Sequence, residues 1–224
     1  PTPASASHQR RKEARPGELL EAALALFVEK GFAATRVDAV AARAGVSKGT
    51  LFLYYPSKEE LFKAVIHETL AGRFDEWNAE FDAFEGSSAE LVRYCLHSWW
   101  ERIGMTRASG ITKLVLSEAG TFPDVALYYQ QHVINPGHDL LKRILQRGMD
   151  RGEFGPMNLE YAVYSLIAPM IFLLTWKHSM APCCPPSQQI EPRTFIDSQV
   201  DLLLHGMQLR PDPASPLTLR PDIP

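Results

Sequence analysis

The stretch "AGVSKGTLFLYYPSKEEL", Ala44 to Leu61, decides how the chain is read. It holds a glycine turn at Gly45, a short helix signal capped by Ser47, a stop at Pro56 and a second helix start at Ser57. A helix of about two turns is marginal alone, because nucleation fixes several dihedral angles for few hydrogen bonds. It persists only if an inner face packs on neighbouring helices, and Leu51 and Tyr55 supply that face. Ser47, Lys48, Gly49, Thr50, Phe52 and Tyr54 are left on or beside the outer one.

Apolar residues recur at three and four on both sides of this stretch, and period-two alternation is absent, so the chain reads as all-α. A first helix starts near Pro16, buries Leu20, Ala23, Leu24, Phe27 and Val28, and closes at Lys30 and Gly31. Three capping-box patterns, Thr35 with Asp38, Ser57 with Glu60 and Ser87 with Glu90, mark later helix starts. The helix after Thr35 turns Val37, Val40 and Ala41 inward. The helix after Ser57 keeps one stripe from Leu61 to Trp77, until "EGSS" (Glu85–Ser88). Further helices carry Leu91 to Ile103, then Ile111 to Val115. Another starts at Pro123 and is kinked or split at "NPG" (Asn135–Gly137). The last two run from Asn158 to about Lys177 and from Pro192 to about Gln208, which makes about nine in all.

The expected organisation is a disordered N-terminus over residues 1–9, a helix-turn-helix unit over 10–57 continuing into the next helix to about 70, a helical body over 58–209 and a proline-rich tail over 210–224. Composition agrees with a folded chain: 224 residues, 46% hydrophobic and 22% charged. Net charge is −3, which argues against a protein that coats nucleic acid over its whole surface. Residues 1–73 nevertheless hold eleven Lys/Arg against eight Asp/Glu, and the remainder twelve against eighteen, so the positive end is the one suited to phosphates. Three cysteines without CxxC spacing, and seven histidines without paired ligand spacing, point to no metal and no cofactor. The N-terminus is polar and the longest apolar run, Tyr161–Trp176, is below the ~20 residues that span a bilayer. A cytoplasmic protein without a membrane partner is expected.

In a helix-turn-helix the second helix enters the major groove while the first crosses the backbone. Lys48 suits a phosphate or a guanine edge, Gly49 permits close backbone approach, and Thr50 offers a hydroxyl and a methyl. Tyr54 adds a ring and a hydroxyl. Lys58, Thr35 and Arg36, at the starts of flanking helices, suit phosphates held also by backbone N–H groups. "LFVEKGFAATRVDAVAARAGVSKGTLFLYYPSKEELF" resembles the N-terminal domain of the TetR family of transcriptional repressors, over about Arg11 to Leu70. The resemblance implies DNA contacts at Thr35, Arg36, Lys48, Gly49, Thr50, Phe52, Tyr54 and Lys58, with Ser47 and Tyr55 beside them. Position 52 is commonly tyrosine in that family and is phenylalanine here, so the ring lacks the hydroxyl that tyrosine would offer a phosphate.

The same resemblance implies a C-terminal domain that dimerises and encloses a small-molecule pocket. His97, Trp99, Trp100, Tyr128, His132, Tyr161, Met170 and Trp176 are its candidate lining, which favours an apolar or aromatic effector. Tyr164, Ile167, Ile171, Phe195, Val200, Leu203, Leu204 and Met207 are candidates for the homodimer seam. The whole then reads as a homodimeric repressor on a palindromic double-stranded operator, released by an effector whose binding is transmitted through the helix after Ser57. No phosphate loop, GxSxG or HExxH supports an enzyme. A helical protein-interaction module without DNA binding is the alternative.

Overall fold

In a computed structural model the backbone of residues 4–207 and the side chains of 16–206 are described. Every regular element among them is helical: α1 (Ala4–Lys30), α2 (Val37–Arg43), α3 (Lys48–Tyr54), α4 (Lys58–Thr69), α5 (Phe74–Asp82), α6 (Ser88–Trp99), α7 (Ser109–Glu118), α8 (Pro123–Tyr129), α9 (Asn135–Asp150), α10 (Leu159–Ser179) and α11 (Pro192–Met207). α5 resumes α4 after a 3-10 turn at Ala71–Arg73, and α8 runs into α9 through a π turn at Gln130–Ile134. Counting each of those pairs as one rod leaves the nine helices expected.

Local chemistry explains most boundaries. Ser47 and Ser57 accept hydrogen bonds from the backbone N–H of Thr50 and Glu60, at 3.0 and 3.1 Å. Only Ser87 forms the reciprocal box, its hydroxyl accepting from Glu90 N while the Glu90 carboxylate accepts from Ser87 N at 2.8 Å. Thr35 is not a cap: Arg36 occupies the N-cap position of α2 and makes no side-chain cap bond. α1 starts at Ala4 rather than at Pro16, so residues 4–9, expected to be disordered, are helical. Proline fixes φ near −65°, which a helix accepts, and forfeits one donor. Residues 1–3 and the expected tail over 210–224 lie outside the described residues. The long stripe after Ser57 breaks at Leu70, before Trp77. The helix from Pro123 is interrupted by the π turn just ahead of "NPG" rather than within it.

Two apolar cores result. The first joins α1–α4 to α7 and α8, with Leu19, Phe27, Val40, Leu51, Phe62, Val65 and Ile111 buried in it. The second lies among α6, α9, α10 and α11, around Leu91, Leu145, Leu166, Leu174 and Val200. α10 is long and apolar enough by length and composition to cross a membrane, and here it packs against α7, α9 and α11.

The head and body meet where α7 crosses α1. Gly110 allows that approach, since a Cβ there would lie 2.6 Å from Val28 Cγ1. Gly110→Ala is therefore expected to lower unfolding free energy by about 1–3 kcal/mol through overpacking. Adding Val28→Ala should recover part of that loss, as read by chemical denaturation.

Candidate nucleic-acid interface

α3 is anchored by Leu51, which is fully buried, and by half-buried Tyr55 at its C-cap. Its other side is open. Ser47, Lys48, Gly49, Phe52, Leu53 and Tyr54 are exposed and Thr50 is half-buried. Leu53, 86% exposed, belongs to this surface and is absent from the set read off the sequence. Lys48 Nζ stands 5.8 Å from the centre of the Phe52 ring, so the ring that replaces the family's tyrosine carries the lysine along its face. The Thr50 hydroxyl lies 2.9 Å from Ser47 Oγ. Arg36 is also exposed, and its guanidinium is held in a fork by Asp38 at 3.0 and 3.1 Å. That pair raises the arginine's pKa and lowers the carboxylate's, each mainly through the hydrogen bond they share.

Three expected contacts already have partners within the fold. Thr35 is 3% exposed, and its hydroxyl faces the carbonyls of Gly31 and Leu26 at 2.7 and 3.1 Å, so it ties the end of α1 to the start of α2 instead of reaching a phosphate. The Lys58 ammonium donates to the carbonyls of Phe32 and Ala33, at 2.8 and 3.2 Å, and sits 4.5 Å above the Phe32 ring. Tyr55 packs against the first core, and burial raises its pKa.

The same peptide segment is held from the other side by a residue that sequence reasoning missed. Glu118, at the end of α7, accepts from Phe32 N at 2.9 Å and Ala33 N at 3.1 Å. Gly31, with φ 84°, makes this possible: a Cβ there would meet the Glu118 carboxylate at 2.9 Å. A glutamate at the C-terminal end of a helix opposes the macrodipole, which is the one signal in the sequence that it has a partner elsewhere.

The body contains a cavity of about 540 Å³ between α5, α6, α7, α9 and α10. Of the expected lining, the structure brings Trp99 and Met170 to its wall. His97 instead meets Asp197 at 2.8 Å. Trp100 is 3% exposed in the second core, under the Lys177 ammonium. Tyr128 and His132 stack on each other at 4.2 Å away from the cavity, and Tyr161 is 74% exposed. Trp176 is half-buried and packs on Phe172. In their place stand Phe74, Trp77, Thr112, Tyr129 and His138, together with Gln130, Val133 and Ile134 from the π turn. Helical spacing marks Phe74 and Trp77 as inward, but it does not tell a packed interior from a hollow one.

The expected seam divides as well. Tyr164, Ile167 and Ile171 line the cavity, Tyr164 at its exposed rim. Val200 and Leu204 are buried in the protomer's own second core, while Leu203 packs against it half-buried and keeps part of its surface open. The side chain of Met207 lies outside the described residues. Phe195 packs on Phe172 with ring centres 5.8 Å apart, and on the same two helices Leu202 of α11 and Tyr161 of α10 are open.

Residues 19–65 match the family described as "Bacterial regulatory proteins, tetR family", and residues 100–206 match "AefR-like transcriptional repressor, C-terminal domain". The chain is 31% identical over 159 residues to the HTH-type transcriptional regulator YfiR of Bacillus subtilis, covering 65% of this chain and 71% of the relative. It belongs to the TetR family. A second relative, the HTH-type transcriptional regulator Mb1581 of Mycobacterium bovis, is 30% identical over 78% of this chain and 80% of its own. Among solved TetR-like folds, the Bacillus subtilis regulator FadR in complex with stearoyl-CoA superposes with a TM-score of 0.71 at 20% identity, over 85% of this chain and 98% of that one. This chain is thus a DNA-binding transcriptional regulator with α3 as the second helix of its helix-turn-helix.

Replacing Glu118 by Ala strips two backbone donors of their acceptor. It is expected to cost about 1–3 kcal/mol and to speed amide exchange at Phe32 and Ala33 before exchange in α9 changes. Hydrogen-exchange mass spectrometry reads both.

Proposed function

We propose that this regulator is a homodimeric repressor that binds a palindromic operator in the cytoplasm through residues 10–57 and is released when a small molecule enters the cavity of residues 58–209. The observation that carries the DNA-reading part is the surface of α3, where Ser47, Lys48, Gly49, Thr50, Phe52 and Tyr54 stand away from the core on a helix whose only buried residue is Leu51. Arg36 extends this surface at the start of α2, ready to exchange Asp38 for a phosphate. Repression is supported by the repressor family that residues 100–206 match. A small-molecule effector is supported by the cavity's size and apolar wall, and by the stearoyl-CoA in the FadR complex.

Dimerisation is supported by the open apolar side chains Tyr161, Tyr164 and Phe172 on α10 and Leu202 on α11, a patch that water solvates poorly. Two copies joined there by a two-fold axis match a palindrome with half-sites about 34 Å, or a multiple of it, apart.

An enzymatic reading has one cluster to offer. Ser109 Oγ lies 2.7 Å from His178 Nε2 and 3.2 Å from Lys177 Nζ. Ser109 is fully buried and its hydroxyl also lies 2.7 Å from the Thr106 carbonyl, so no substrate reaches it and its proton has an acceptor. Burial, with Lys177 next, lowers the His178 pKa.

Lys48→Ala is expected to weaken operator binding by ~1–3 kcal/mol if the side chain reads a base. If it meets a phosphate, the loss is uniform across sequences and the salt dependence flattens by about one unit. Fluorescence anisotropy over a salt series separates these, and unchanged affinity for every duplex would remove α3 from the interface. Leu202→Glu, at a site already open to water, should leave the fold intact and produce monomers in sedimentation equilibrium. A persistent dimer would place the seam elsewhere.

A further inference from the structure

We propose that the cavity takes an uncharged, largely apolar molecule bearing a hydrogen-bond-accepting oxygen, which is anchored by the paired hydroxyls of Thr112 and Tyr129. This rests on the reading of the cavity as the effector site and narrows the chemistry of what enters it.

Thr112 Oγ1 and Tyr129 Oη are 2.9 Å apart on the cavity wall, and the two residues are only 4% and 5% exposed. Two hydroxyls carry two protons, and their mutual bond uses one. Among the described residues neither oxygen has another protein partner, so one proton of the pair is left to be donated. A buried donor without an acceptor is unfavourable, and a ligand oxygen relieves it.

The charge of the wall sets the rest. No lysine or arginine lines the cavity among the described residues. Its carboxylate, Glu80, is occupied: it accepts from Arg102 at 2.7 Å and from the Tyr94 hydroxyl at 2.9 Å. Its histidine, His138, has a lowered pKa because burial and then Lys142 disfavour its charge, although Asp139 and Glu160 act the other way. An anionic head group would therefore be desolvated beside a carboxylate with no cation to meet it. Burial likewise pushes the Tyr129 hydroxyl up to about 12, so it serves as a neutral donor.

Three probes on one skeleton test this: para-butylacetophenone, para-butylcumene and para-butylbenzoate, each titrated into the full chain and followed by quenching of Trp77 and Trp99, which line the cavity. The ketone is expected to bind about three- to tenfold more tightly than the hydrocarbon, the gain of one neutral hydrogen bond, and the benzoate most weakly. Thr112→Val with Tyr129→Phe removes both hydroxyls and leaves neither unpaired. That double variant should bind the hydrocarbon as before and lose the preference for the ketone, while Thr112→Ser should retain it. Benzoate binding as tightly as the ketone, equal binding of ketone and hydrocarbon to the unaltered chain, or a ketone preference that survives in the double variant overturns the proposal but leaves the cavity a binding site. Absence of quenching by all three overturns both readings.

Discussion

The peptide Phe32–Ala33 is gripped from two sides, and the relation of reading head to body depends on that grip. Glu118 of α7 takes its N–H groups while Lys58 of α4 takes its carbonyls. The Phe32 ring completes the joint, lying 5.0 Å from Phe62, 5.5 Å from Phe27 and 4.6 Å from Phe122. These rings come from α4, α1 and the entry to α8, so one side chain ties three elements together. Aromatic pairs in such tilted or edge geometries contribute about 0.5–1.5 kcal/mol each beyond the area they bury. Opposite charges on either side of one segment fix its orientation as well as its place, because the amides and carbonyls point in opposite directions. Lys58, which has the chemistry of a phosphate ligand, thus also braces the scaffold, with two of its three N–H donors on these carbonyls.

The same helix that supplies Glu118 reaches the cavity. α7 places Thr112 and Leu116 on the cavity wall, Gly110 against Val28 of α1, and Glu118 on the α1–α2 turn, all within ten residues. α4 ends at Leu70, also on the wall. A shift of either helix against a packed interface is felt at the head, since interiors at crystal-like density transmit displacement. An allosteric coupling of ~1–3 kcal/mol asks only for a small difference in how these helices pack with the cavity filled or empty.

Two π turns occur among the described residues, at Trp100–Gly104 and at Gln130–Ile134. The one at Trp100–Gly104 brings the Trp100 ring so close to Gly104 that a Cβ would overlap it at 2.2 Å. The one at Gln130–Ile134 turns Gln130, Val133 and Ile134 onto the cavity wall and joins α8 to α9 without a loop.

The sequence by itself determined the all-helical class, the positions of most helix starts and the identity of the reading helix. Those depend on short-range features: apolar residues at three and four, Ser47, Ser57 and Ser87 as caps, and Gly31 and Gly45 at turns. It also separated the outward residues Lys48, Phe52 and Tyr54 from Leu51, because a short helix has only one inner face. Tertiary structure alone decided which polar groups were free. Thr35 and Lys58 both carry the chemistry of phosphate ligands, but the Thr35 hydroxyl is buried against carbonyls at the end of α1 while Lys58 stays half-exposed over those of the α1–α2 turn, and no local pattern encodes that. It also decided that Val200 and Leu204 fill the protomer's own core, that Leu202 is open, and that Thr112 and Tyr129 face a hollow where Trp100 faces packed side chains. A helical repeat specifies the side of a rod that avoids water. What stands on that side, whether a neighbour, a second copy or empty space, is fixed only when all the rods are placed.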